Sequence, residues 1–192
     1  MDMDERIITV LRGIREGLQI LYEPIDALTR LANYKKGYPP LYIRQKVGNL
    51  NDFEGSSGEY MAYLKLLCGL KPGMSVLDVG CGCGVMCIKV NENPTLPEYI
   101  YPGQYVGMDV DKELIEWCTK HLTRRNCRFY WLASAEDFRF KATRGRYDVV
   151  LCKSLFTHLF KHEVAAYLKE IRKLLKPGGK CLATFFLLND ME

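Results

Sequence analysis

A chain of 192 residues with 48% hydrophobic and 26% charged residues has room for one well-buried globular domain and an accessory segment. That balance excludes a disordered or fibrous chain. No apolar run approaches the ~20 residues of a membrane-spanning helix. The formal charge of +4 is mild, and the N-terminal Met1-Asp2-Met3-Asp4-Glu5 is acidic where a secretory signal is basic. A cytoplasmic location is expected. Eight cysteines, most of them inside apolar runs, read as reduced and largely buried thiols.

Between residues 6 and 31, Ile7, Leu11, Ile14, Leu18, Leu21, Ile25 and Leu28 recur in alternating steps of four and three, the spacing of one helical face. This predicts an amphipathic helical arm, weakened at Gly13 and Gly17 and kinked or split at Pro24. Such an arm packs on its own domain, closes as a lid or pairs with a second copy. Residues 35–51, with Gly37, Pro39-Pro40 and Gly48, read as an extended connection. A helix capped by Ser56 or Ser57 runs to about Cys68, and Pro72-Gly73 turns the chain toward the first strand.

From there apolar strand-like runs at 75–79, 105–109, 128–132, 147–152 and 180–188 alternate with helical stretches at 112–122 and 162–175. The expected architecture is a three-layer α/β sandwich around a mostly parallel sheet. Residues 1–70 form the helical arm and 71–192 the core. Residues 93–103 read as a surface loop.

The segment Val76-Leu77-Asp78-Val79-Gly80-Cys81-Gly82-Cys83-Gly84 joins a buried strand to a loop with glycine at every second position, followed by a predicted helix near Val85. Glycines permit positive φ and close ligand approach, and the first strand's carboxyl end is where open α/β sheets bind ligands. A dinucleotide fingerprint has the form Gly-x-Gly-x-x-Gly; this loop does not. Asp78 would also oppose a pyrophosphate, whereas it suits the ammonium and sulfonium charges of S-adenosylmethionine. At the end of the second strand, Asp109 is placed to accept two ribose hydroxyls, and Asp111 to cap the helix at Lys112. Cys81, Cys83 and Cys87 lack the spacing of a zinc site, so no metal is expected; Cys81 would be oxidation-sensitive if exposed.

With Leu132-Ala133-Ser134-Ala135-Glu136-Asp137-Phe138, Tyr147-Asp148-Val149-Val150-Leu151-Cys152, Ser154-Leu155-Phe156-Thr157-His158-Leu159 and Leu174-Leu175-Lys176-Pro177-Gly178-Gly179-Lys180, the chain resembles a class I S-adenosylmethionine-dependent methyltransferase of the small-molecule type, with a Rossmann-like fold. The resemblance covers residues 71–188. It implies that Gly80, Cys81 and Gly82 approach the cofactor's methionine and ribose portions, that Val110 packs on adenine and that Ala135 offers it a backbone contact. Ser134 stands where the family commonly has Asp, and Cys152 and Lys153 line the pocket. The family adds two strands after the fifth, so the sheet is expected to be shortened at its C-terminal side.

Methyl transfer needs chiefly positioning, with a base only where the acceptor must lose a proton. His158 is the candidate base. The expected partner is a small-molecule acceptor, with a homodimer through the N-terminal helix or the sheet edge as a further possibility. A binding module without methyl transfer, or a nucleic-acid or protein methyltransferase using the basic clusters at 120–128 and 139–146, are the alternatives. A solvated helix end and a loop account equally well for those clusters, and nucleic acid is not the expected partner.

Overall fold

The computed structural model of the chain describes residues 3–32, 37–48, 55–89, 94–133 and 146–185. It contains two compact units, Met1–Leu50 and Asn51–Glu192.

In the first unit, helix α1 spans Met3–Ala32 and remains helical through Pro24, so the expected split does not occur. Proline removes one backbone donor, but side chains on either side of it are tied to the following segment. Glu23 accepts the Tyr42 N–H at 2.7 Å, and Asp26 pairs with both Arg30 and Arg44. The sequence reads residues 35–51 as an extended connection. Instead, helix α2 spans Leu41–Gln45, started by Pro40, whose carbonyl accepts the Ile43 and Arg44 N–H groups at 3.1 Å each. Ile43 is fully buried, which explains why a pattern too short to show a period still folds.

The second unit begins with helix α3, Gly55–Leu66, closed by Gly69 in the left-handed region and a Leu70 N–H to Leu64 carbonyl bond of 3.0 Å. Five strands follow: β1 Val76–Val79, β2 Tyr105–Asp109, β3 Cys127–Trp131, β4 Tyr147–Cys152 and β5 Leu175–Ala183. They pair in the order β3-β2-β1-β4-β5, every pair parallel. Order and direction confirm the expected Rossmann-like α/β sheet.

Helix α5, Lys112–His121, connects β2 to β3, and α6, Lys161–Leu174, connects β4 to β5. Asp111 caps α5 as predicted, its Oδ1 accepting the Glu113 and Leu114 N–H groups at 3.0 and 3.2 Å. Leu77, Met108 and Val150 of the sheet share a core cluster with Tyr167, Ile171 and Leu174 of α6. Leu122, just past α5, lies with Cys118 and Phe129 around Gly84.

Two connections differ from expectation. Residues 93–103 are not a surface loop where described: helix α4, Leu96–Tyr99, buries Leu96 and Pro97. Glu98 accepts the Thr95 N–H at 2.9 Å, and the Asn126 amide donates to the Pro97 and Gly103 carbonyls at 2.7 and 2.9 Å. The fifth strand begins earlier than residue 180, because Leu175 pairs with Tyr147 before the register jumps to Val149 opposite Lys180. Lys176 in that jump reaches Asp148 at 2.7 Å, and the same carboxylate oxygen accepts the Ser75 N–H at 2.7 Å. The part of the predicted strand beyond residue 185 lies outside the described residues.

Gly103 gives a direct test of this packing, since a Cβ there would stand 1.9 Å from the Met74 carbonyl oxygen. Backbone cannot yield as a flexible side chain can, so Gly103→Ala is expected to cost about 3 kcal/mol or more, against about 1 kcal/mol for Asp111→Ala. Urea denaturation of both variants checks the ranking.

Candidate functional site

The glycine loop is built by backbone necessity. Gly80, Gly82 and Gly84 have φ of 76°, 55° and 74°, a region where side chains are costly. At Gly80 a Cβ would also stand 3.3 Å from Leu155 Cδ1, so the segment after β4 lies directly on the loop. The Gly80 and Cys81 N–H groups both donate to the Met108 carbonyl, at 2.8 and 3.0 Å. The loop is thus folded across the end of β2.

Asp109 completes that attachment. Its Oδ2 accepts the Gly82 N–H at 2.8 Å and its Oδ1 the Asp111 N–H at 2.9 Å. An ionised carboxylate has about four acceptor positions, so these bonds leave capacity for further donors. Asp109 is partly buried, while the next residue, Val110, exposes half its surface. The Val110 carbonyl accepts the Trp131 indole N–H at 3.0 Å.

Asp78 lies deeper, almost fully buried on β1, with the Tyr105 hydroxyl donating to its Oδ2 at 2.6 Å. Burial pushes its carboxyl up to about 6; the Tyr105 bond and the positive charge of Lys153 pull it down, and the charge of Asp109 pushes it up. Cys81 is buried, and its thiol is pushed well above its ordinary range, first by burial and then by Asp78. That is an inert environment.

Beyond β4, Lys153 places its ammonium 4.9 Å from the Tyr60 ring centroid. Ser154 has a φ of 52°, held by its N–H donating to Thr184 Oγ1 at 2.8 Å and its carbonyl accepting the Thr157 hydroxyl at 3.0 Å. His158 ends the short 3-10 turn Phe156–His158 and is exposed.

The structure therefore gathers Asp78, Gly80, Cys81, Gly82 and Asp109 around one loop, with Val110 and Lys153 on the adjoining strand ends. The Cys152 side chain is instead buried in the core cluster. Ser134 and Ala135 lie outside the described residues. Tyr60, Tyr105 and Trp131 join the site unannounced by any motif; helix placement and the pairing of strands reveal them. The predicted helix after the loop is replaced by a 3-10 turn, Val85–Cys87, because Ile88 turns extended while Met86 and Cys87 are buried. So short a turn offers little helix dipole to a pyrophosphate. Among the described residues, no group of three or more His, Cys, Asp or Glu is placed to hold a metal.

A family profile described as "Methyltransferase domain" matches residues 76–179. The ubiquinone biosynthesis O-methyltransferase of Vibrio cholerae serotype O1 is 28% identical over 107 residues, covering 56% of this chain and 40% of that protein. The phosphoethanolamine N-methyltransferase of Triticum aestivum is 31% identical over 117 residues, covering 60% of this chain and 21% of that protein. The chain thus spans less than half the length of either. A SAM-dependent methyltransferase structure from Leishmania major shares the fold, with a TM-score of 0.53 at 15% identity over 68% of this chain and 49% of that one.

The Asp78 carboxyl sets a pH dependence. Its folded value of about 6 lies above the ordinary range of an aspartate carboxyl, so the folded state holds an extra proton between about pH 4 and pH 6. Its contribution to stability falls as pH rises through that window, by up to about 3 kcal/mol. Denaturation at pH 4.5 and 7 should show this fall in the wild type and not in Asp78→Asn.

Proposed function

We propose, from the premise that this chain belongs to the methyltransferase domain family, that it binds S-adenosylmethionine at the glycine loop and transfers the methyl group to a small-molecule acceptor. The observation that carries this reading is the pair of carboxylates around the loop, Asp109 at its surface and Asp78 beneath it. The residues fit the ligand chemically. Asp109 keeps acceptor capacity for a ribose diol, Val110 offers an exposed apolar surface to adenine, and Asp78 supplies negative charge toward an ammonium or sulfonium. The named activities of the relatives, in ubiquinone biosynthesis and on phosphoethanolamine, support an acceptor of small size.

When bound, S-adenosylmethionine supplies an electrophilic methyl on a sulfonium. The chain's own part is positional. The positive-φ glycines bring backbone close, Leu155 covers Gly80, and Asp109 fixes the loop to β2. His158, on the turn after β4, is assigned the role of removing a proton from the acceptor. No helix among the described residues is long and apolar enough to cross a membrane, and the free thiols at all eight cysteines support a cytoplasmic setting.

The partner is read as a second copy joined through α1. Ile7, Ile14, Leu18, Leu21, Ile25 and Leu28 are 47–67% exposed and form the 3.5-residue seam of helix pairing. Large apolar side chains left this exposed along one helix face form the kind of contiguous patch that marks a protein–protein contact.

Calorimetry is expected to show S-adenosylmethionine and S-adenosylhomocysteine binding, at least about tenfold weaker in Asp109→Ala, with no binding of NAD. Tight NAD binding overturns the reading. With an acceptor in hand, His158→Ala should lower kcat about 100-fold; unchanged turnover removes the base, and no turnover across an acceptor panel favours a binding module.

Sedimentation should find a dimer that Leu21→Glu with Ile25→Glu converts to monomer. A wild-type monomer at high concentration excludes the pairing.

A further inference from the structure

The eight cysteines all fall within the described residues; Cys181 is exposed, Cys68 is half-buried and the rest are buried. Cys181 lies on β5, at one end of the strand order. The β4–β5 register sets it opposite Val150 and sets Ala183 opposite Cys152. Side chains alternate faces with a period of two, so Cys181 and Cys152 share a face, one at the surface and the other in the core cluster. The Cys152 thiol donates a hydrogen bond to the Cys181 sulfur. A sulfur that accepts such a bond holds its own proton less tightly, and the Cys181 thiol lies below its ordinary range, with burial working the other way. Cys68, just past α3, is brought near by the bond of 2.9 Å from Lys180 Nζ to the Leu67 carbonyl. Its thiol is raised, first by burial, so it is the less reactive neighbour.

We infer that Cys181 is a site of reversible modification by small disulfides, with Cys152 as its positioning residue, and that an adduct there loosens the segment laid over the glycine loop. The modification site stands apart from the methyl-transfer reading; its effect on methyl-donor binding rests on that reading. In the exchange the Cys181 thiol gives its proton to solvent and the thiolate attacks one sulfur of the disulfide. A new S–S bond forms as the old one breaks, and the departing sulfur leaves with the electron pair as a thiolate. Cys181 is oxidised, the departing sulfur is reduced, and no further oxidant enters. A reducing thiol reverses the step.

The path from Cys181 to the loop is short and runs through backbone. Thr184, just past β5, donates its N–H to the Cys152 carbonyl at 3.3 Å and accepts the Ser154 N–H on its Oγ1 at 2.8 Å. The second bond holds Ser154 at a φ of 52°, and Leu155, next along, lies on Gly80. An adduct on Cys181 takes up the sulfur that accepts the Cys152 thiol and adds bulk to the face the two residues share. The buried Cys152 thiol is left without that acceptor, which costs stability where β4 and β5 end. Thiols close to the loop are protected from the same exchange: Cys81 and Cys87 are buried, and burial pushes both well above their ordinary range.

The test reads labelling first and binding second. Dithiobis-nitrobenzoate, a small aromatic disulfide, is added to the folded protein at neutral pH. One thiol should react at least about tenfold faster than the others, and peptide mass spectrometry should place it at Cys181. Cys181→Ser should lose the fast phase and Cys68→Ser keep it. Cys152→Ala should slow it about tenfold, and Cys152→Ser, which keeps a donor, should restore it. A fast thiol elsewhere, or none, overturns the site; a rate unchanged in Cys152→Ala overturns the positioning role. S-adenosylhomocysteine calorimetry then reads the coupling. Treatment with glutathione disulfide should weaken binding at least about tenfold, a reducing thiol should restore it, and Cys181→Ser treated alike should bind as the untreated protein does. An adduct at Cys181 with unchanged affinity overturns the coupling. Failure of the untreated protein to bind fells the methyl-transfer reading and the coupling with it, while the labelling still decides the site.

Discussion

The bond from the Gly82 N–H to the Asp109 carboxylate is the contact on which the site depends. Three alternate glycines with positive φ make a loop that is entropically expensive to order, with only the two buried thiols of Cys81 and Cys83 to pack. Its shape is imposed by β2, through the Met108 carbonyl on one side and Asp109 on the other. The same carboxylate holds the Asp111 N–H, and Asp111 caps α5. One side chain therefore couples the loop, the strand end and the start of the next helix. Loss of Asp109 would leave loop and cap unregistered with each other as well as remove a polar contact.

Electrostatic arrangement follows from depth. Asp109 is shared between two backbone donors near the surface, whereas Asp78 lies under the loop with a single tyrosine hydroxyl. Burial without a full complement of donors raises the Asp78 carboxyl toward neutrality. With the carboxyl at about 6 the residue is largely ionised at neutral pH, and Lys153 supplies part of the field that keeps it so. A positively charged ligand near the loop would complete the ionisation, so binding and proton release are expected to be linked.

Much of the second unit was legible because its elements obey one period each. The five apolar runs became five strands, and Asp111 capped the helix assigned to it. Reading failed where tertiary contact overrode local preference. Pro24 did not divide α1 because Glu23 and Asp26 are clamped by the segment at 38–44. Residues 41–45 and 96–99 became helices too short to display a period, fixed by the burial of Ile43 and Leu96. The turn after Gly84 stayed 3-10 because its residues were needed in the core. Within the site, Asp78, Gly80, Gly82 and Asp109 were visible as neighbours of a motif. Tyr105 and Tyr60 were not, since their approach depends on strand register and helix placement, which no local spacing encodes.

This division has a functional counterpart. The legible residues lie along β1 and the end of β2, a contiguous stretch whose backbone geometry leaves little choice of side chain. Lys153, Ser154 and His158 sit on the segment after β4, where the backbone is pinned by Thr184 and Thr157, the Lys153 ammonium lies over the Tyr60 ring and His158 is exposed. A fixed backbone with replaceable side chains is the arrangement in which acceptor preference can change while the loop stays constant.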